Sequence, residues 1–224
     1  MRNSITANWK KCWGMKTKDH LFYALFAISA ISYFSFAEWM ATARVGTMFF
    51  LWFSPLYVFP LLAALLALPV LLVRVCFQRD RTHALPWLLL SILYIPCFIV
   101  GTDLGDRVRI SGWETFARRS QPLIHAIEQY ADDHAVPPQA LSDLVPDYLP
   151  EVPNTGMRAY PEFHYDTGDE TRERFAENPW VLSVFTPSGA INFDQMLYFP
   201  KQNYPKVGYG GGLERIGDWA YVHE

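Results

Sequence analysis

The sequence predicts a membrane region of three α-helical spans, followed by an α+β domain in which a long helix packs on a small antiparallel sheet. Three observations support this fold class. Three long runs contain no charged residue, acidic residues are concentrated in the second half of the chain, and apolar spacing changes from helical to alternating after Pro153. With 224 residues, the chain is long enough for such a membrane region and one further domain.

Charge divides the chain into a basic first part and an acidic second part. Residues 1–102 contain 9 Lys and Arg against 3 Asp and Glu, whereas residues 103–224 contain 10 against 19. This division excludes a uniformly soluble protein, a disordered chain and a basic nucleic-acid-binding protein. We therefore expect a lipid bilayer, and no nucleic acid, as the partner of the first part.

The uncharged runs cover residues 20–37, 45–73 and 82–102. A helix needs about 20 apolar residues to cross the hydrocarbon core. These runs predict transmembrane helices at about 20–37, 47–73 and 84–102, after a basic cytoplasmic leader at 1–19. The second run contains Pro55, Pro60 and Pro69, which we expect to kink one span rather than divide it, because prolines are tolerated in membrane helices.

Loop charges predict the orientation of these spans. The leader is basic, and the loop after the second span carries Arg74, Arg79 and Arg81, whereas the first loop has only Arg44 against Glu38. Because basic loops stay in the cytoplasm, the amino terminus is predicted inside and the second part of the chain outside. A cleaved signal peptide ending at Ala43 is the competing interpretation of the first span.

Residues 107–224 are predicted to form the outer domain, which begins with an amphipathic helix. Its apolar face runs from Trp113 to His134 and is interrupted at Ser120 and Pro122, so either the helix is kinked there or a second helix begins. A short turn follows at 140–149. The side chains expected to point inward from this turn are Leu141, Leu144, Val145, Tyr148 and Leu149.

Alternation of apolar and polar residues then predicts four short strands. They are centred on 163–165, 180–185, 191–197 and 216–222, with turns at 187–189 and in the glycine-rich run 208–212. Such an order indicates an antiparallel meander with the helix across one face of the sheet.

Two stretches within this domain resemble a known family. They are LIHAIEQY from Leu123 to Tyr130, and VPPQALSDLVPDYLPEVP from Val136 to Pro153. Both are similar to the soluble domain of type IV pilin-like proteins, above all to the major pseudopilins of type II secretion. The resemblance implies a fold with a helix, a proline-rich loop and a small sheet. It also implies a bacterial inner (cytoplasmic) membrane protein whose carboxyl-terminal domain is periplasmic or extracellular. The pilin leader and its helix-initial glutamate are missing, so filament-subunit function is not implied.

Few residues of the domain point to chemistry. Asp166-Thr167-Gly168 matches the tripeptide of aspartic proteases, but that mechanism needs two such carboxylates and the chain offers one copy in a polar turn. Asp166, Asp169 and Glu170 are weak candidates for a calcium site, and a solvated acidic loop is the simpler interpretation. We expect no metal, no cofactor and no catalytic residue.

These patterns favour a non-enzymatic membrane protein that displays a pilin-like domain to another envelope protein, within an envelope or secretion assembly. The candidate contact residues are aromatic: Tyr204, Tyr209, Trp219 and Tyr221. The alternative for these rings is that they complete the domain core. Two other functions stay open, a membrane-tethered sensor of a small ligand or calcium, and an envelope hydrolase.

Overall fold

A computed structural model describes residues 17–53, 55–77, 81–187 and 193–223. The chain divides into two units. The first comprises the chain up to Phe36 together with Phe53–Asp106, and the second comprises Ala37–Trp52 together with Arg107–Glu224. The predicted domain boundary at 107 therefore lies at a unit boundary, while the second unit also includes the end of the first helix and the loop after it.

Three long helices account for most of the first unit, and the first and third of them continue into the second. They are α1 (Thr17–Thr42), α2 (Pro55–Phe77) and α3 (Arg81–His134), and a short 3-10 helix, Met48–Phe53, precedes α2. Pro55 is the first residue of α2, where its fixed φ suits a helix start. Pro60 and Pro69 lie inside α2, which is one α-helix through both prolines. The predicted second span begins at about 47, but residues 48–53 form the separate 3-10 helix, residue 54 lies outside the described residues, and α2 begins at Pro55.

Two segments, Met48–Phe77 and Ala84–His134, are long and apolar enough to cross a membrane by length and composition. The first predicted span lies in α1, which does not meet this criterion over the residues that the structure describes. Three spans and a membrane location thus stay predictions.

Small and aromatic residues join the helices of the first unit. A Cβ on Gly101 would lie 2.7 Å from the carbonyl oxygen of Ala30, so glycine allows α1 and α3 to approach closely. The Tyr94 hydroxyl donates a 2.6 Å hydrogen bond to the carbonyl of Tyr57, whose ring stacks on Tyr33 at 4.3 Å. These contacts hold α1, α2 and α3 together.

The second unit contains a six-stranded antiparallel sheet. Its strands are β1 (His164–Thr167), β2 (Trp180–Phe185), β3 (Gln195–Tyr198), β4 (Val207–Gly208), β5 (Gly211–Ile216) and β6 (Trp219–His223), and the short helix α4 (Asp169–Arg174) connects β1 to β2. The strand order is β1-β2-β3-β6-β5-β4.

Two strand predictions were wrong in detail. The run 208–212 was predicted to be only a turn, but Val207 and Gly208 pair with Gly212 and Gly211 in the β4–β5 hairpin. The segment 216–222 was predicted as one strand, but a turn at Gly217 separates β5 from β6, with Ile216 opposite Trp219. Glycine permits both turns because it adopts positive φ without strain. Residues 191 and 192 of the predicted third strand lie outside the described residues.

The carboxyl-terminal part of α3 packs on this sheet, as predicted. Trp113 stacks on Tyr221 at 5.7 Å between ring centroids, and Phe116 meets Trp219 edge-on at 4.8 Å. The helix is continuous through Ser120 and Pro122, which rules out the alternative of a second helix. The Ser120 hydroxyl bonds the carbonyl oxygens of residues 116 and 117 within the helix.

The turn after α3 is less buried than predicted. Leu144 is fully buried in a 3-10 helix, Leu141–Leu144, but Val145 is exposed. The peptide bond between Val145 and Pro146 is cis.

Candidate functional site

Two of the four predicted contact residues are part of the core. Trp219 has no exposed surface and Tyr221 is 1% exposed. Their rings pack against α3, so neither residue can present an aromatic surface to a partner. Trp219 and Tyr221 are therefore not contact residues. Their rings complete the domain core, which was the alternative interpretation.

The other two, Tyr204 and Tyr209, are half-buried and held by neighbours in the domain. The Tyr204 hydroxyl donates a 2.7 Å hydrogen bond to the carbonyl of Asp218 and accepts one from the Phe199 amide. Tyr209 stacks on Phe175 at 5.4 Å. The hydrogen bonds of Tyr204 tie the β3–β4 connection to the β5–β6 turn, which is a structural role.

The candidate cation ligands are all exposed. Asp166 lies on β1, and Asp169 and Glu170 form the first turn of α4. No group of three His, Cys, Asp or Glu side chains is arranged to hold a metal ion within the described part of the chain. The tripeptide 166–168 leads from β1 into α4, and Gly168 has a positive φ of 94°.

Tyr221 on β6 and Asp194, just before β3, form a buried tyrosine–aspartate pair. The Tyr221 hydroxyl donates a 2.5 Å hydrogen bond to Oδ2 of Asp194, which is 3% exposed. The Arg109 guanidinium lies 5.5 Å from the Tyr221 ring centroid. Burial and the bond to Asp194 both raise the pKa of Tyr221, so it stays a protonated donor at neutral pH. This hydrogen bond satisfies the buried carboxylate of Asp194.

An arginine-lined cleft in the second unit was not predicted. It has a volume of about 730 Å³. Its walls come from the loop after α1, from α3, and from the loop between Asn154 and Pro161, here called the 154–161 loop. Three arginines, Arg44, Arg119 and Arg158, line this cleft. Clefts of this size hold small molecules in many proteins, since binding pockets usually measure about 300–1,000 Å³.

The 154–161 loop is fixed by its own hydrogen bonds. Thr155 is 1% exposed, and its hydroxyl donates a 2.5 Å bond to the carbonyl of Tyr160. The Asn154 side chain accepts a 2.8 Å bond from the Gly156 amide. The Tyr160 hydroxyl reaches the carbonyl of Pro187 at 3.1 Å. These bonds give the cleft a preformed wall.

Gly156 brings the loop against α3. Its φ is +71°, and a Cβ there would lie 2.7 Å from Nη1 of Arg119. The same Nη1 donates a 2.7 Å hydrogen bond to the Gly156 carbonyl. Glycine at 156 therefore avoids backbone strain and lets the guanidinium approach the Gly156 carbonyl without displacement.

Gly46 places Arg44 in a comparable way. The amide of Gly46 donates a 3.2 Å hydrogen bond to the carbonyl of Ala43, so the chain turns immediately after α1. A Cβ at Gly46 would collide with the Met40 carbonyl. Glycine thus allows the tight turn that holds Arg44 beside the cleft.

The cleft has an excess of positive charge. Over residues 17–53, 55–77, 81–187 and 193–223, no carboxylate forms an ion pair with Arg44, Arg119 or Arg158. Nε of Arg119 is buried and has no hydrogen-bond partner among those residues. Burial, and secondarily the charge of Arg44, lower the pKa of Arg119. The arrangement leaves several guanidinium N–H groups available to an anion.

Sequence reasoning missed this site because the three arginines are far apart in the chain and follow no motif. Arg44 was interpreted only as a topology signal. The turn-forming residues Asn154 and Gly156 were the one local sign that a loop approaches α3.

No protein-family model matches this sequence, and neither a curated protein nor a solved structure matches it. The pilin-like resemblance is therefore carried by the residues quoted above, and the family of the chain stays a prediction.

Proposed function

We propose that this protein is a non-enzymatic component of a bacterial inner membrane that displays a pilin-like α+β domain on the outer face for contact with another envelope protein. Three helical spans anchor the domain, and the amino terminus is cytoplasmic. The domain serves in an envelope or secretion assembly rather than as a filament subunit.

The observation that carries this proposal is the composition of α3. This one helix of 54 residues contains an apolar segment without charge at 84–102 and then the buried face that supports the sheet. Trp113 and Phe116 on that face contact the sheet. A pilin-like protein likewise uses one helix as its membrane segment and as the central helix of its domain, which is what the resemblance implies.

Exposed apolar side chains in the first unit support membrane anchoring. Leu66 is 78% exposed, Phe59 67% and Trp87 61%. A soluble protein rarely exposes contiguous apolar surfaces of this kind, whereas lipid tails cover them at no cost. The loop charges, with basic residues before α1 and after α2, support the orientation.

Cysteine labelling of intact spheroplasts tests the topology. In a background where Cys12, Cys76 and Cys97 are serine, we expect Glu173→Cys to react with a membrane-impermeant maleimide from outside. Arg79→Cys is the matched control and should react only after the membrane is permeabilised. Labelling of Arg79→Cys alone in intact spheroplasts would contradict the proposed orientation.

Photo-cross-linking in living cells tests the contact with a partner. A photoreactive amino acid at the exposed positions Phe193 or Val207 is expected to give an adduct of one defined mass. The same amino acid at Leu66, on a helix assigned to the bilayer, is the control. If a panel across the exposed surface of the domain gives no protein adduct, display for protein interaction is wrong.

A further inference from the structure

We propose that the arginine-lined cleft binds a phosphate group, either from an anionic phospholipid headgroup or from a soluble phosphate compound. The proposal is independent of the partner protein. The membrane anchoring in the proposed function matters only for one of the two sources of the phosphate, the lipid headgroup.

The charge of the cleft is the first argument. Three guanidinium groups line one cavity, and within the described residues none of them is paired with a carboxylate. Like charges at close range repel, and an anion between them removes that repulsion. Guanidinium groups form paired N–H···O bonds with phosphate, and three of them suit a multiply charged tetrahedral anion better than a single carboxylate.

Unused hydrogen-bond donors are the second argument. Arg119 uses Nη1 to hold the 154–161 loop, while its buried Nε has no partner among the residues described. Buried donors without partners are rare in native proteins, and an unseen ligand is one recognised reason for them.

The size of the cleft is the third argument. A second hollow of about 330 Å³ adjoins the cleft, because Arg158 lines both of them. The second hollow is lined otherwise by the turn after α1, including Gly46 and Thr47. Together the two hollows offer more room than a single inorganic phosphate needs, which suits a phosphate that carries a headgroup or a second phosphate.

The surroundings of Arg44 favour a lipid as the source. Arg44 lies two residues beyond the end of α1, and the 3-10 helix Met48–Phe53 that follows it contains exposed Phe49 and Trp52. Aromatic side chains of this type concentrate at the membrane–water interface. A guanidinium group at that depth is within reach of the phosphate of an anionic headgroup, with which it forms paired N–H···O bonds.

The test uses the full chain in two parallel assays. In non-ionic detergent, isothermal titration calorimetry measures binding of pyrophosphate. In nanodiscs of phosphatidylcholine with or without phosphatidylglycerol, native mass spectrometry after release counts the phosphatidylglycerol molecules retained. Wild type is compared with Arg44→Gln and Arg158→Gln, which change exposed side chains and leave the core intact.

Arg118→Gln is the matched control, because it also replaces one exposed arginine by glutamine and Arg118 does not line the cleft. Arg118 is exposed, and among the described residues its side chain bonds only Thr115, which does not line the cleft. We expect Arg44→Gln and Arg158→Gln each to weaken binding about tenfold, the loss expected for one charge-assisted contact. The control should bind as wild type does.

Each outcome decides the proposal. Pyrophosphate binding that depends on Arg44 and Arg158 supports a soluble phosphate ligand. Retention of phosphatidylglycerol with the same dependence, without pyrophosphate binding, supports a lipid ligand. If wild type binds neither probe, or if all four proteins bind alike, the cleft is not a phosphate site. The maleimide experiment is unaffected by that result, so failure of this proposal and failure of the proposed topology are distinguishable.

Discussion

Replacing Gly156 by alanine is expected to reduce the free energy of unfolding by about 3 kcal/mol, and two separate contributions make up this value. The first is the backbone, since φ at Gly156 is +71°. A left-handed conformation costs an L-residue about 1–2 kcal/mol. The chain tolerates this in other places, because Ala135 and Ala176 also have positive φ.

The second contribution is the loss of the bond between Arg119 and the 154–161 loop. A Cβ at 156 would lie 2.7 Å from Nη1 of Arg119, so the guanidinium must move away from the carbonyl that it now bonds at 2.7 Å. A hydrogen bond to a charged group contributes about 1.5–3 kcal/mol. Because Arg119 is partly exposed, we use the lower value of about 1.5 kcal/mol.

Gly217→Ala is the control for the backbone contribution. Gly217 has a φ of +61°, and nothing lies within 4 Å of a Cβ built on it. Denaturant unfolding of the full chain in non-ionic detergent, followed by near-ultraviolet circular dichroism, measures both variants. We expect Gly156→Ala to be less stable than Gly217→Ala by about 1.5 kcal/mol, the contribution of the lost bond.

A double-mutant cycle isolates the contact itself. In an Arg119→Gln background, Gly156→Ala should have only its backbone effect, giving a coupling energy of about 1.5 kcal/mol. Equal destabilisation by Gly156→Ala and Gly217→Ala, together with zero coupling, would refute the view that Arg119 holds the 154–161 loop in place.

Three further predictions concern the core and the tyrosines. Trp219→Ala removes a fully buried ring and should destabilise the domain by about 3–5 kcal/mol in the same unfolding assay; an effect below about 1 kcal/mol would contradict its core role. Tyr221→Phe removes the bond to Asp194 and should cost about 1.5–3 kcal/mol, a prediction that fails if the variant unfolds at the wild-type denaturant concentration. The hydrogen bond to Asp133 raises the pKa of Tyr148 to about 12. The folded state therefore favours the neutral hydroxyl, which contributes to the free energy of unfolding below pH 10. This stabilisation is lost as the pH rises toward 12. In Asp133→Asn the Tyr148 pKa should move back toward 10, measured by NMR of ring-labelled tyrosine, and an unchanged value would show that the bond to Asp133 is not its cause.

The sequence was informative where one local pattern decides the structure. The apolar face from Trp113 onward predicted the part of α3 that packs on the sheet, and the alternation at 180–185 predicted β2. Charge and apolar run length predicted the helices of the first unit. In these segments the spacing of apolar residues along the chain is enough to show which side chains are buried.

Patterns failed where tertiary contacts decide. The alternation from Ile216 to Val222 was interpreted as one strand, although Gly217-Asp218 is a local signal for the two-residue turn that places Ile216 opposite Trp219. Composition could not tell whether Trp219 and Tyr221 face a partner or α3, since aromatic rings suit both environments. The cleft depends on Arg44, Arg119 and the 154–161 loop meeting in space. Asn154 and Gly156 indicate a turn, but nothing in the local sequence indicates which helix or which arginines that turn contacts.

The position of β6 has a consequence for how the sheet assembles. β6 follows every other strand along the chain, yet it pairs with β3 on one side and β5 on the other. Until it arrives, β3 and β5 each present an unpaired edge, the kind of surface that recruits strands from other molecules. During synthesis the sheet closes only after β6 has been made, so a product stalled or clipped ahead of Trp219 carries two open edges, at β3 and β5, in addition to those at β1 and β4. Such a product is a substrate for aggregation or for quality-control proteases.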